Sequence, residues 1–456
     1  MWQSNCDEAP RSASCRSAEI RNDARMNTIP AEAQESLPIK ALALAVVIGL
    51  LGASLATLFL WLIEEGQVLF FTDLPQAFGW DAAPAWWITG GLLLSALLII
   101  AAQRLPGHTG EGPLTGFHFN DPVRTVPSVL LAAVATLIFG ASLGPEGPLI
   151  VVGSTAAALL MRKAQPNVLS MAMFLGGIAA IGTIFGNPFV TAFMILEFAA
   201  MGMAPKVILL PAFVALGAGY LTQIGWGAWA GIGAHGLSVP GLPDYPSIQP
   251  GDLAAGLVLA IVVSIATSMA REIGERASLL GQRRPAATII LAAIITSAIA
   301  VSAFTWFDIE YDQILFSGQT GMASLITETS LTTLLVIIIC KLVVYGVALG
   351  SGFRGGPIFP ATFIGVACGG LAALLLTGLS ISAMAAVGIA AAATVMTRLP
   401  FTSALLAMLL VGVAGAAIAP FAIIGAVSGF VVRSAVDRLK SRRSSTSTSS
   451  VDQAMS

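Results

Sequence analysis

Residues 144–148 read Gly144-Pro145-Glu146-Gly147-Pro148, and Glu146 is the only charged residue between Arg124 and Arg162. An ionised carboxylate inside so apolar a stretch is costly, and in a membrane-spanning segment such a residue marks an ion or proton path by default. The flanking glycines and prolines signal a broken helix end, since proline suits the first helical turn, where its missing N–H is idle. A helix that starts in mid-membrane leaves unpaired N–H groups and a positive dipole end. Two anionic groups can meet them, a bound anion or the side chain of Glu146.

The surroundings agree with a membrane setting. The chain of 456 residues is 56% hydrophobic and 10% charged, against roughly 25% charged in an average soluble domain, and its mean hydropathy is +0.87. These values predict an all-α polytopic membrane protein. Apolar runs of about 20 residues, long enough to span, begin near Ile39, Trp86, Asp252, Ala286 and Leu331, with shorter Gly- or Pro-interrupted runs between. The net charge of −2 gives no reason to expect nucleic acid as a partner. Cys6, Cys15, Cys340 and Cys368 form no C-x-x-C or Cys/His cluster, so neither a metal nor another cofactor is expected.

Residues 1–38 are polar and without period and read as a disordered cytoplasmic leader, within which Met26 is an alternative start. The run from Ile39 to Ile63 is too long for a cleaved signal and stays as a helix. The transmembrane domain is expected over 39–437, with halves at about 39–222 and 252–437. Residues 438–456 read as a disordered basic, Ser/Thr-rich tail, with no soluble regulatory domain beyond it. Basic residues gather at Arg104, Arg124, Arg162 and Lys163, at Arg271 to Arg284 and at Arg433 to Arg443, which puts those loops and both termini in the cytoplasm by the positive-inside rule. A multi-pass protein of the cell membrane follows. Lys341, inside an apolar run, reads as a snorkelling or paired lysine, and Glu197 as a helix-end or dimer-side acid.

The chain also repeats. A shift of 212 carries Gly144-Pro145 onto Gly356-Pro357, Pro148 onto Pro360, Gly153 onto Gly365, Pro188-Phe189 onto Pro400-Phe401 and Ala192 onto Ala404. Two related halves with interrupted helices are the arrangement by which many transporters build a site at the repeat interface.

At this point the sequence resembles the CLC family of chloride channels and chloride/proton exchangers. The resemblance rests on Gly144 to Pro148, on Phe185-Gly186-Asn187-Pro188-Phe189 leading to Glu197, and on Gly350-Ser351-Gly352 followed by Gly355-Gly356-Pro357-Ile358-Phe359-Pro360. It implies two inverted-topology halves with tilted and broken helices, and a homodimer in which each subunit has its own anion path. It further implies that Glu146 is the gating and proton-carrying group, sitting as an anion mimic on backbone N–H groups. Thr109, Gly110, Gly147, Ile358 and Phe359 are the other anion-binding positions so implied. His108 or Gly110 can stand in for Thr109, because Gly107-His108-Thr109-Gly110-Glu111-Gly112-Pro113 is one residue longer than the family's motif.

Several residues depart from the family pattern. Pro145 stands where a basic residue is usual, a charge that Arg354 is expected to restore in part to the outer vestibule. Pro357 removes one backbone donor. Phe198 occupies the inner proton-site position, and Val427 the inner-gate position, where the family has a tyrosine. These changes favour passive or loosely proton-coupled movement of chloride or similar small anions. The alternatives are a strict chloride/proton antiporter and a transporter of another anion. An intramembrane enzyme is disfavoured, because no H-E-x-x-H motif or nucleophile setting accompanies the acids.

Overall fold

A computed structural model of the chain describes residues 39–230 and 237–455. The expected leader, with Cys6 and Cys15, lies outside the described residues. Among the described residues, fourteen helices longer than ten residues fall into two sets of seven. The first set is α1 (Ile39–Val68), α2 (Ala85–Ala102), α3 (Val126–Ile138), α4 (Glu146–Leu160), α5 (Pro166–Phe185), α6 (Pro188–Ala200) and α7 (Leu209–Ala230). The second is α8 (Pro250–Arg283), α9 (Pro285–Phe307), α10 (Leu331–Gly350), α11 (Ile358–Leu375), α12 (Ile381–Thr397), α13 (Pro400–Leu410) and α14 (Ala419–Met455). Helices α5, α6, α8, α9 and α13 begin on a proline, which costs a helix nothing at that position.

Nine helices among the described residues are long and apolar enough to cross a bilayer. The runs expected near Ile39, Trp86, Asp252, Ala286 and Leu331 start at Ile39, Ala85, Pro250, Pro285 and Leu331. Five more are apolar but shorter, α4 among them. Its 15 residues cover about 22 Å at 1.5 Å each, less than the roughly 30 Å of a hydrocarbon core. Helices of that length end inside the membrane, where their termini need partners.

The repeat is legible in the packing. Helices α4 and α5 touch at Gly153 and Gly176, where a Cβ on Gly153 would lie 2.1 Å from the Gly176 carbonyl oxygen. Helices α11 and α12 touch at Gly365 and Gly388, where a Cβ on Gly365 would lie 2.4 Å from the Gly388 carbonyl. Both pairs are related by the shift of 212, so the same backbone-on-backbone contact closes the central helix pair of each half. These helices are apolar on all sides because protein surrounds them.

Two polar residues in the apolar runs find partners. Lys341 on α10 is fully buried, and its Nζ donates to the carbonyls of Ile314 (3.2 Å), Leu315 (2.7 Å) and Phe316 (3.1 Å), with the Phe363 ring 4.7 Å away. It is a paired lysine, as its sequence setting suggested. Glu197, near the end of α6, accepts from the N–H groups of Phe401 (2.9 Å) and Thr402 (2.8 Å) and from the Thr402 hydroxyl. It thereby caps the start of α13 and ties the two halves together.

One expectation is corrected. Residues 438–455, read from sequence as an unfolded tail, continue α14. No glycine or proline follows Gly429 to stop the helix, so it propagates from the turns already formed, each added residue contributing one hydrogen bond.

Candidate functional site

The site is built where the two halves meet. Gly144 and Gly356 form an isolated antiparallel bridge, the Gly144 N–H donating to the Gly356 carbonyl at 2.8 Å and the Gly356 N–H to the Gly144 carbonyl at 2.5 Å. Because these glycines are equivalent in the repeat, the bridge pairs a position with its own counterpart running the opposite way. Four residues earlier in each half, Gly140 (φ +92°) and Gly352 (φ +112°) turn the chain into it. That backbone conformation suits glycine and strains other residues.

Two residues past Gly144, Glu146 opens α4 and reaches across the bridge. It is 0% exposed. Its Oε1 accepts the N–H of Phe359 at 3.0 Å, so the carboxylate of one half sits on the open N-terminus of α11 in the other. Among the described residues its Oε2 has no hydrogen-bond partner. The seat exists because Gly356 has no side chain: a Cβ there would lie 1.9 Å from Oε2. Ile358 opens α11 one residue before the bonded N–H. Tyr345, a buried residue of α10 that the sequence reading passed over, donates its hydroxyl to the Pro357 carbonyl at 2.6 Å and fixes that helix start. An isolated phenol in an apolar run was the available signal.

Two cavities flank Glu146 and it lines neither. One, of about 340 Å³, is bounded by Gly147 and Pro148 of α4, by Gly355 to Pro357, and by Gly110 to His118. Arg271, Arg354, Arg398 and Arg433 line it together with Glu111 and Asp121. Burial pushes the Asp121 carboxyl above the ordinary carboxylate range, with His118 opposing and Glu111 adding to the rise. The other, of about 460 Å³, is bounded by Leu143, Pro145 and Phe359, and its charged lining residues are Glu64 and Asp312. Pro145 and its repeat partner Pro357 thus face opposite cavities, with the Glu146 carboxylate between them.

Three expectations change with this geometry. Thr109 (φ +72°) does not offer its hydroxyl to a ligand. The hydroxyl donates to the His108 carbonyl at 2.5 Å, and both Thr109 oxygens accept from Arg354 Nε, at 2.9 and 3.1 Å. Gly110, its neighbour, does line the arginine-lined cavity. Arg354 does not compensate for Pro145, because it faces the cavity on the far side of the bridge. Val427, expected at an inner gate, is 55% exposed on α14 and lines neither of these two cavities. Phe198 is buried with its ring 5.8 Å from Phe117 and 5.9 Å from Phe119. It seals the wall behind Phe117, which lines the arginine-lined cavity.

Residues 108–434 match the sequence profile of the family described as "Voltage gated chloride channel". The ion-transport candidate YfeO of Escherichia coli O139:H28 is 27% identical over 337 residues, covering 71% of this chain and 77% of the relative, and YfeO of E. coli strain 55989 is 28% identical over the same extent. Among solved structures, a slow cyanobacterial Cl⁻/H⁺ antiporter superposes with a TM-score of 0.72 at 17% identity, covering 87% of this chain and 94% of that one. A CLC-type fluoride/proton antiporter superposes at 0.62 with 21% identity, covering 88% and 97%. The structural likenesses are likenesses of fold.

Proposed function

The chain belongs to the voltage-gated chloride channel family, and from that premise we propose that it carries chloride or similar small anions through a path in each subunit gated by Glu146. The observation that carries the reading is the Glu146 carboxylate held on the Phe359 N–H between two cavities. A helix N-terminus binds anions through its free N–H groups and dipole. A carboxylate placed there closes the path by occupying the site. Protonation removes the charge that holds it, and an arriving anion competes for the same donors; either event frees the seat and joins the cavities. Gly147, Ile358 and Phe359 are the backbone positions around the site, with Gly110 at its approach from the arginine-lined side.

Passage is passive or loosely coupled to protons. Phe198, in the place where a proton acceptor would be expected, cannot titrate and is buried against Phe117 and Phe119. Strict chloride/proton exchange is the second reading, favoured by Glu111, His118 and Asp121, titratable groups that line the cavity beside Glu146. The arginine-lined cavity faces the cytoplasm by the positive-inside rule, with both termini on that side, in the cell membrane. Residues 39–437 carry the transport function. Two copies pair through the apolar face that displays Phe189 (65% exposed) and Phe401 (67% exposed) on α6 and α13.

Proteoliposomes loaded with chloride provide the test. Wild-type efflux is expected to rise as pH falls, and Glu146→Gln is expected to give faster, pH-independent efflux. A Glu146→Gln variant that keeps the wild-type rate and pH profile refutes the gate. Proton uptake driven by a chloride gradient at clamped voltage, in fixed ratio to chloride, establishes exchange instead.

A further inference from the structure

The arginine-lined cavity has an asymmetry in its charges. Arg433 pairs with Asp437 at 2.7 Å and donates to the Val395 carbonyl; Arg398 also pairs with Asp437; Arg271 pairs with Glu275 at 2.6 Å and lies 3.5 Å from Asp437. Among the described residues Arg354 makes no ion pair within 4 Å, and Glu111 is the acid that acts on it electrostatically at longer range. Its position is nevertheless fixed. The backbone N–H of Arg354 donates to the Thr136 hydroxyl at 2.9 Å, and its Nε is held by both oxygens of Thr109. Thr109 is fixed in turn, its N–H donating to the Ser128 hydroxyl at 2.6 Å. The Nε edge of the guanidinium is therefore occupied, while among the described residues the edge formed by Nη1 and Nη2 has no hydrogen-bond partner. Nη1 lies against Gly112, 3.4 Å from where a Cβ would be, and both residues line the cavity.

The repeat assigns this residue a counterpart. The shift of 212 carries Ser142 onto Arg354, each two residues before the Gly-Pro pair that precedes its broken helix. Ser142 is buried with its hydroxyl unpartnered, beside Leu143 and Pro145, which line the acid-lined cavity. Each half thus places one polar side chain at the same step, a neutral hydroxyl in the first half and a cation in the second.

We propose that the free edge of Arg354 is an anion subsite that favours planar oxyanions, those with two oxygens on one trigonal centre such as nitrate, bicarbonate and simple carboxylates, over spherical halides. This rests on the reading of Glu146 as the gate of an anion path. A guanidinium presents parallel N–H donors in a rigid plane and matches such anions through two bonds at once, which an ammonium cannot do. The cavity accommodates them: its 340 Å³ is several times the roughly 30 Å³ that one water molecule occupies in the liquid. Glu111 and Asp121 share the cavity and limit its net positive charge, which favours monovalent guests over densely charged ones.

The test compares nitrate, formate, bicarbonate and chloride flux in proteoliposomes for the wild type, Arg354→Lys and Arg398→Lys. Wild-type flux is expected to favour the three planar anions, and Arg354→Lys, which keeps the charge but loses the planar edge, to lower the nitrate-to-chloride ratio about tenfold. Arg398→Lys, on a residue already paired with Asp437, leaves that ratio in place. An unchanged ratio in Arg354→Lys, or an equal fall in Arg398→Lys, overturns the assignment. A preference for formate and bicarbonate without nitrate identifies the carboxyl group as the guest, and the reverse identifies nitrate; both support the subsite. If no anion crosses wild-type vesicles, the transport reading fails, and calorimetric titration of nitrate and chloride into the purified full-length protein decides the subsite separately. Tighter nitrate binding that weakens about tenfold in Arg354→Lys sustains it, and equal binding of the two anions or an unaffected variant ends it.

Discussion

Glu146 and Gly356 act as one unit, because the carboxylate fits only where the glycine leaves room. A Cβ at Gly356 would overlap Oε2, so Gly356→Ala is expected to expel the carboxylate from its seat. Efflux at neutral pH should then approach the rate that the wild type reaches only in acid; a variant that stays closed at neutral pH contradicts the seat. Asp121 supplies a second pH response. Its raised pKa means that it takes up a proton at higher pH than an ordinary aspartate, and each proton removes one negative charge from the arginine-lined cavity. Anion binding measured in an Glu146→Gln background should therefore tighten as pH falls, and Asp121→Asn should hold it at the tight value throughout. Thr109 shows why residue roles are hard to read from spacing alone. The family resemblance implied an anion donor, but the left-handed backbone at Thr109 turns the hydroxyl towards the chain, and the residue positions Arg354 instead.

Each half is held together by a helix pair in glycine contact. Gly365→Ala places a methyl group 2.4 Å from the Gly388 backbone, where no side chain can yield, and overpacking of this kind costs about 3 kcal/mol. Gly217→Ala on α7, with nothing within 4 Å, should be neutral or gain up to about 1 kcal/mol from helix propensity. Thermal melting of both variants in detergent checks the contrast; equal stabilities would show that the α11–α12 contact is looser than described. The 11-residue α13 depends on a cap from the other half. Removing it by Glu197→Ala should cost about 1–2 kcal/mol, the range for loss of an N-cap, readable as a lower melting temperature with the efflux pH profile retained. These helix starts were visible beforehand, since proline and the onset of apolar runs act locally. The partner of Glu197 was not, because Phe401 and Thr402 lie more than 200 residues away along the chain.

Over the whole molecule, the two sets of seven helices meet at the Gly144–Gly356 bridge, and the acid at this junction is asymmetric although its scaffold is not. Ile358 takes the place of the glutamate in the second half, so one carboxylate serves both broken helix ends. The apolar face carrying Phe189 and Phe401 leads to an expectation about assembly. Light scattering in mild detergent should give twice the mass of one chain, and the double change Phe189→Glu and Phe401→Glu should halve it; a monomeric wild type rules the pairing out.

The sequence by itself determined the membrane class, the starts of five of the nine long apolar helices among the described residues to within two residues, the 212-residue repeat and the singular acid at Glu146. All of these follow from local composition, from the conformational limits of proline and glycine, and from the cost of charge in hydrocarbon. Only the tertiary structure decided that Glu146 rests on Phe359, that Arg354 faces the cavity opposite Pro145, that Thr109 is spent on holding Arg354, and that Val427 lies exposed on α14. Those facts depend on which side of a two-fold bridge a residue falls and which way its side chain turns. Packing between distant segments sets both, and neither leaves a mark in residue type or spacing.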